Sequence, residues 1–564
     1  MPANPADRLL CGVVRRTPGW LGWLVVSAVV GAVAALLLPG AVARGVDAAL
    51  SAGSASAAWW LVALAMTIAV ADAVGEVAQA RCANAGAAWL RRRLTRHLLG
   101  MDLRGHRRFA PGDVVSRISG DAAEAGGVGP ICVRLVSAVA VSVGAVVALA
   151  LLDWRLAAVF VASVPVALRL AGGHLRRTAD DVAAYQRVSG ELSARLLDAV
   201  RGMRTIEAAG AVERETHRVL RPLPDLAAAG HGMWRAQAAL AWRAGLLLPA
   251  VEVAVLITAG VGVAQGRTSV GDLVAAAGYV PLGMMAIGYG SHLTRLARAR
   301  AAAARVLDVL DTAPGGGGRR DAPPGQGRIT LRAVSVLDDR GAPVLSTVDL
   351  DVPPGATVAV VGRSGAGKST LAAVAAGLLE PDEGQVLLDG VPVRDLRPEA
   401  VRGLVSCAFE RPTLLGSTVS EAITYGLAPE SRPSGEGVRA AAVAAQVDDV
   451  ITRLPEGYET PLVRVPLSGG EAQRLGLARA LARDARVLVL DDATSSVDTA
   501  TEARLTAAVA TAFPDRTRLV VTHRLSTARR ADLVLWLDEG RVRGRAPHHE
   551  LWDEPDYRSV FAAL

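Results

Sequence analysis

The chain has 564 residues, 51% of them hydrophobic and 20% charged, with a mean hydropathy of +0.33; it is too long for one small core and too apolar to be disordered. Its 61 Lys and Arg against 54 Asp and Glu give +7 and a pI near 9.7. The excess arginines flank apolar runs (Arg91 to Arg93 with Arg96, Arg104 with Arg107 and Arg108), so membrane orientation accounts for them and nucleic-acid binding is set aside.

The apolar excess is uneven. Long charge-free runs crowd residues 17–294, whereas Arg, Asp and Glu are dense from 296 onward, which reads as a membrane half followed by a soluble half. Thr17 to Ala43 carries no charge except its flanks, follows Arg15 and Arg16, and exceeds the roughly 20 helical residues that cross a hydrocarbon core. Its Ala41-Val42-Ala43 resembles a signal-peptide cleavage site, but the run is too long and others follow, so it is kept as a first transmembrane helix. Further spans are expected at 50–71, 135–152, 156–170, 244–265 and 273–294, giving six helices. The gaps 83–130 and 171–238, rich in Arg, Asp, Glu and Ala, are expected to continue as helices beyond the bilayer. Counting six crossings places both gaps, both termini and the soluble half on the arginine-rich, cytoplasmic side of a multi-pass cell-membrane protein. The connections near Asp153-Trp154-Arg155 and Gln265-Gly266-Arg267 are then short and external.

Two features of this half bear on chemistry. Glu252 is the only charge between Ala244 and Gly266, and a lone carboxylate in lipid is costly, so it is expected to face the interior, touching a cationic or polar substrate or pairing with another helix. Met284, Met285, Tyr279 and Tyr289 either line a cavity or pack helices, and Asp72 and Glu76 are read as solvated or paired. The four cysteines, Cys11, Cys82, Cys132 and Cys407, lack paired or metal-ligand spacing and are read as small packing residues.

Residues 313–328, with Gly315 to Gly318 and Pro323-Pro324, have linker composition and separate an expected membrane domain, 1–312, from a nucleotide domain, 329–564. In the latter, the apolar run Thr357 to Val361 leads into Gly362-Arg363-Ser364-Gly365-Ala366-Gly367-Lys368-Ser369, the G-x-x-x-x-G-K-[ST] phosphate-loop pattern between a strand and a helix. Its glycines let backbone N–H groups close on phosphate oxygens, Lys368 supplies a compact cation, and Ser369 offers a hydroxyl to Mg2+. Lys368 is the only lysine in the chain, so arginine does every other basic job. Val487 to Leu490 followed by Asp491 reads as a buried parallel strand ending in a carboxylate that holds Mg2+ through water. Between these motifs lies Leu467-Ser468-Gly469-Gly470-Glu471, then Gln473-Arg474 and a helix; after them comes Val521-Thr522-His523.

With these motifs in this order the chain resembles the ABC transporter family, specifically a half-transporter of the exporter type, over nearly its whole length. The fold so implied is an all-α six-helix transmembrane domain followed by an α/β P-loop nucleotide-binding domain. Leu467 to Glu471 is similar to the ABC signature, Ser495 to Asp498 to the D-loop and His523 to the switch histidine. In the membrane half, Leu152 to Leu156, Gly112 to Arg117, Gly202 to Ile206 and Ser269 to Leu273 are similar to recurring exporter phrases, and 103–115 and 207–214 would include coupling helices. The resemblance implies ATP and Mg2+ as cofactors. ATP would meet Arg363, Ser364, Gly365, Ala366, Gly367, Lys368, Ser369 and Thr370, and across a dimer Ser468, Gly469, Gly470 and Glu471. Mg2+ would meet Ser369, Glu410 and Asp491.

The chain departs from the family pattern at several positions. Where a glutamate usually polarises the attacking water, Asp492 stands one methylene, about 1.5 Å, short. The adenine-stacking aromatic falls at Asp338, with no Phe, Trp or Tyr between Ile329 and Phe409. Glu410 takes the Q-loop glutamine position, and Val463 to Pro466 is a short connection to the signature. Since each ATP lies between one subunit's phosphate loop and the other's signature, the resemblance implies the degenerate member of a heterodimeric exporter, with a second half-transporter chain as partner. Its cargo would be a small molecule, peptide or lipid. The competing expectations are uptake of a metal chelate by an exporter-like fold, and an ATP-gated channel; a soluble ATPase of the translation or DNA-repair type is disfavoured by six spans.

Overall fold

The computed structural model describes the backbone of residues 4–50, 56–288, 290–312, 316–338 and 340–562. It separates into two compact units: Met1–His97 with Ala110–Asp311, and Leu98–Phe109 with Thr312–Leu564.

The first unit is helical. After the amphipathic helix Pro5–Arg15, capped by the Asn4 side chain, come Pro18–Leu50, Ser56–Leu99, Val128–Leu152, Trp154–Arg201, Leu223–Ala264, Val270–Gly288 and Gly290–Leu310. Among the described residues three stretches, Pro18–Leu50, Trp59–Leu99 and Pro111–Leu152, are long and apolar enough to cross a membrane; three shorter apolar ones are Trp154–Val166, Leu248–Ala264 and Val270–Met285. The fourth expected span runs on into side chains outside the described residues. Trp23, Val26, Val29 and Val33 are more than half exposed, as a lipid-facing surface requires. The interior is built from small and β-branched residues, among them Ala145, Val255, Ala259, Ala275, Ala276 and Val280. Such residues let helices approach closely where lipid offers no hydrophobic drive. Gly278 shows the limit: a Cβ there would meet Pro39 Cβ at 2.9 Å.

Tyr279 packs in this interior and donates to the Leu36 carbonyl at 3.1 Å, so it serves helix packing; Tyr289 lies outside the described residues. Arg267 pairs with Asp153, joining the two short connections expected outside. Glu76 pairs with Arg134, Arg305 with buried Asp121, and Arg117 with Asp113 and Asp308. Glu252 is half-buried on Leu223–Ala264, with no ion pair or hydrogen bond among the described residues. Of the cysteines only Cys82 is fully buried. Cys11 and Cys132 are exposed, which corrects the reading of all four as packing residues. The segment 207–214 spans the helices Met203–Ala208 and Val212–Leu220 around Gly210, and belongs to this unit.

The second unit carries two sheets. A four-stranded antiparallel sheet has the order β2-β1-β4-β5, from β1 Ile329–Leu337, β2 Pro343–Val352, β4 Glu383–Leu388 and β5 Val391–Pro392. A six-stranded sheet runs β10-β9-β3-β8-β7-β6, from β3 Thr357–Val361, β6 Val405–Phe409, β7 Val487–Asp491, β8 Thr517–Val521, β9 Leu533–Asp538 and β10 Arg541–Ala546. All its pairings are parallel except β9–β10. The valine-rich strands β3, β7 and β8 are buried because helices cover them, which parallel strands require. One core joins the two sheets; a second gathers around the helix Gly469–Leu481 with Val419, Ile423, Val438 and Leu505.

Two segments from outside the expected nucleotide domain are tied into this unit. The short helix Leu103–Arg107 is held through Arg104, whose Nη2 donates to Asp382 Oδ2 at 2.8 Å while Asp382 also accepts from the Leu337 amide at 2.7 Å. From 316 onward the glycine-rich stretch is paired: the Gly318 amide donates to Leu396 O at 2.9 Å, the Arg320 amide to Asp395 O at 3.0 Å, and the Arg397 amide returns to Arg320 O at 2.8 Å.

Candidate functional site

The parallel strands β3, β8, β7 and β6 end together, and the register pairs Val360 with Val521, Asp491 with Val521, and Phe409 with Asp491. The residues just beyond these strand ends, Gly362, Thr522, Asp492 and Glu410, therefore emerge along one edge, where α/β sheets bind ligands.

After β3 the chain turns through Gly365 and Gly367, at φ +83 and +95, into the helix Lys368–Ala375. Gly367 is its N-cap in the left-handed region, and a Cβ there would meet Val344 O and a Leu345 methyl, each at 2.8 Å, so only glycine fits. The loop thus presents a helix N-terminus with exposed Arg363, Ser364 and Gly365 before it. Ala366 N donates to Arg363 O at 3.2 Å, and Arg363 reaches Ser559 Oγ at 3.3 Å. Lys368 is 6% exposed and donates to Gly362 O at 2.8 Å and Arg363 O at 2.9 Å. Burial pulls its pKa below the usual lysine value, against the opposing pull of Asp492 and Asp491. Thr370 is half-buried one turn on.

Ser369 Oγ donates to Asp491 Oδ1 at 2.9 Å. Burial raises the Asp491 carboxyl; the Ser369 bond opposes this, and Asp492 and Glu410 add to it. Hydroxyl and carboxylate oxygens are the hard donors that suit Mg2+, so Ser369, Asp491 and Glu410 fit that ion. Glu410 is exposed, its nearest cation Arg411 at 3.9 Å.

Asp492 has φ +47, a left-handed conformation that aspartate tolerates better than most residues. Its amide donates to Val521 O at 3.3 Å and its carbonyl accepts from Ser495 N at 3.1 Å. Its carboxylate Oδ2 lies 3.3 Å from His523 Nε2, with both side chains partly shielded from water. A carboxylate–imidazole pair at this edge can orient a ring N–H and hold a water-borne proton. Asp338, at the position of the missing aromatic, is spent on the β1–β2 turn. Its Oδ1 accepts from the amides of Arg340 and Ala342, each at 2.8 Å.

Ser468 caps the helix Gly469–Leu481. Its hydroxyl accepts from Glu471 N at 3.3 Å, and Glu471 Oε2 accepts from the Ser468 amide at 2.8 Å, a capping box. The Ser468 amide and hydroxyl, which both donate to Oε2 at 2.8 Å, hold the Glu471 carboxyl below its usual pKa. The cap leaves the Gly469 and Gly470 amides at an open helix N-terminus, a second anion-binding end. It sits on the helical core, whereas the phosphate loop sits on the sheet core.

Sequence reading assigned no role to Gln473, Glu502 and Arg524. Gln473, 2% exposed, donates to Glu410 O at 2.7 Å and Ser495 Oγ at 2.8 Å, and accepts from Ser496 N at 2.9 Å. It pins the helix Gly469–Leu481 to Glu410 and to Ser495 and Ser496. Glu502, also 2% exposed, accepts from Arg524 at 2.6 Å and Thr527 at 2.9 Å, and Arg524 reaches back to the carbonyls of Ser495 and Val497. A buried glutamate paired with the residue after His523 leaves no mark in the local sequence, because its partner lies 22 residues away.

Residues 345–495 match the family described as ABC transporter, and residues 21–287 that described as ABC transporter transmembrane region. The chain is 45% identical over 544 residues to the ABC transporter ATP-binding protein RamA of Streptomyces coelicolor, covering 96% of this chain and 85% of that one. It is 34% identical over 418 residues to the ATP-dependent lipid A-core flippase of Aromatoleum aromaticum, covering 71% and 67% respectively. Among solved structures, a bacterial Atm1-family ABC exporter with ATP bound aligns with a TM-score of 0.80 at 25% identity, covering 97% of this chain and 98% of that one.

Proposed function

Because this chain belongs to the ABC transporter family, as an exporter-type half-transporter with a membrane domain fused to one ATP-binding domain, we propose that it is the poorly hydrolysing member of a heterodimeric exporter. Its domain couples ATP hydrolysis to transport, and hydrolysis takes place mainly at the site completed by its own signature and the partner's phosphate loop. Arg363 to Thr370 would grip this chain's own ATP, with Ser369, Asp491 and Glu410 around Mg2+. Ser468 to Glu471 would reach the partner's ATP, and Asp492 with His523 would serve hydrolysis at this chain's own site. Magnesium, when bound, neutralises phosphate charge; Lys368 and the loop amides position the phosphates, and His523 is oriented by Asp492.

The observation that carries this reading is a contrast: the phosphate loop and the Ser468 cap keep their local geometry, while the Asp492 carboxylate, one methylene shorter than a glutamate, rests 3.3 Å from His523. The membrane domain would occupy 1–312 and the nucleotide domain 329–564, in the cell membrane with both termini cytoplasmic. The cargo is a small molecule, peptide or lipid, with Glu252 as a contact for a cationic group; a lipid-like cargo draws support from the relatives named as lipid A-core flippases. The test is ATP turnover by the purified chain alone and by the chain with its copurified partner. Slow turnover alone and fast turnover together is expected; ordinary transporter rates from the chain alone, lost in Asp492→Asn, overturn it. Transport into inverted vesicles distinguishes export from uptake.

A further inference from the structure

Behind the hydrolytic edge lies a cavity of about 330 Å3, inside the second unit and separate from the phosphate loop. Its walls are Leu490 of β7, Val521 of β8, Ala493 just beyond Asp492, and Leu505 of the helix Thr499–Ala512. Most of the lining is apolar, none of it is acidic, and its two charged residues are Arg518 and Arg530. Arg518 is oddly placed for a cation. Its Nη1 donates to Thr357 Oγ1 at 3.0 Å and its Nη2 to the carbonyls of Phe513 at 2.5 Å and Pro514 at 3.5 Å, while its Nε is buried with no hydrogen-bond partner among the described residues. The carboxylate acting on it from the surroundings, Asp532, accepts from the Thr357 amide at 2.8 Å. The Nε has no accessible surface, so a carboxylate in the cavity would meet Arg518 through the charge of its guanidinium and not through that donor. The volume is within the range of sites that hold small organic ligands with few polar contacts.

We propose that this cavity binds a small amphipathic carboxylate, its anionic head on Arg518 and its aryl or acyl body between β7, β8 and the helix Thr499–Ala512. The apolar walls answer the body, and two arginines without an acidic neighbour in the lining answer the head. This site does not depend on the reading of Asp492, since it is tested by binding rather than by turnover.

The experiment uses the full-length chain in lipid nanodiscs, with empty nanodiscs as reference, and calorimetric or ligand-detected NMR titration with 2-naphthoate and its neutral analogue 2-naphthamide. Saturable one-site binding of naphthoate is expected, tighter than that of the amide. Arg518→Met should weaken naphthoate about tenfold or more, as loss of a charge-assisted hydrogen bond does, and leave the amide nearly unchanged. Ala510→Trp, at an exposed position of the lining, should weaken both by filling the space, and decides the matter if Arg518→Met does not fold. Naphthoate binding no greater than to empty nanodiscs, or equal in the wild type and Ala510→Trp, overturns the proposal.

Discussion

The ends of β3 and β7 flank β8 in the same sheet and, in the function proposed, serve the same nucleotide, yet they are built from different materials. Beyond β3 the shape is in the backbone: Gly367 is left-handed where a Cβ has no room, and Lys368 is boxed by the carbonyls of Gly362 and Arg363. Beyond β7 the backbone also turns left-handed, at Asp492, but in the function proposed what matters there is how far one side chain extends. A device built from backbone keeps its geometry or loses the turn altogether, whereas a step built on side-chain reach can be cut back by one methylene while the strand, the turn and the His523 contact all persist.

The largest effect expected from that contrast comes from outside either end. In the assembled pair, Ser468→Arg should lower ATPase activity about 100-fold or more, the scale seen when a donor to transition-state charge is lost. Asp492→Asn should leave most of the activity, and steady-state phosphate release checks both; equal losses would erase the asymmetry. Next, Lys368→Ala should weaken nucleotide binding at this chain's own site roughly 10–100-fold, from a buried charge-assisted contact worth about 1.5–3 kcal/mol. Filter binding or calorimetry with the partner's phosphate loop disabled measures it, and unchanged affinity would put the phosphate grip elsewhere.

Smaller effects sharpen the comparison. Asp492→Glu should raise total turnover less than about tenfold, because Asp338 offers no adenine platform and Glu410 adds negative charge beside Asp491. In the membrane unit, Glu252→Gln should alter transport of a cationic cargo more than of a neutral one; parallel loss of both with thermal stability would make it a structural residue.

The smallest effect is a pH dependence. The Ser468 amide and hydroxyl hold the Glu471 carboxyl below its usual pKa. Its contribution to stability is therefore complete above the ordinary glutamate value of about 4.3 and fades as pH falls through the lowered folded value. Glu471→Gln should cost about 0.5 kcal/mol at neutral pH, kept small by solvent screening. The gap from wild type should close in thermal melts below about pH 4.

Much of this molecule was legible because its signals are local. A phosphate loop is eight consecutive residues whose spacing is the mechanism, a span is a run of apolar side chains, and the signature cap is a Ser with a Glu three residues on; each needs only near neighbours in the chain. Tertiary structure alone decided what depends on residues brought from afar. Gln473 crosslinks Glu410 to the 495–498 segment, the Leu103–Arg107 helix joins the nucleotide unit through Asp382, and the glycine-rich stretch after 316 is hydrogen-bonded rather than free. So too with Asp492, whose identity is plain in the sequence, while its resting place against His523, 31 residues on, follows from the pairing of β7 with β8. Composition and spacing encode what one segment can do by itself; which partner a buried polar group finds is set by the strand register and helix packing that close around it.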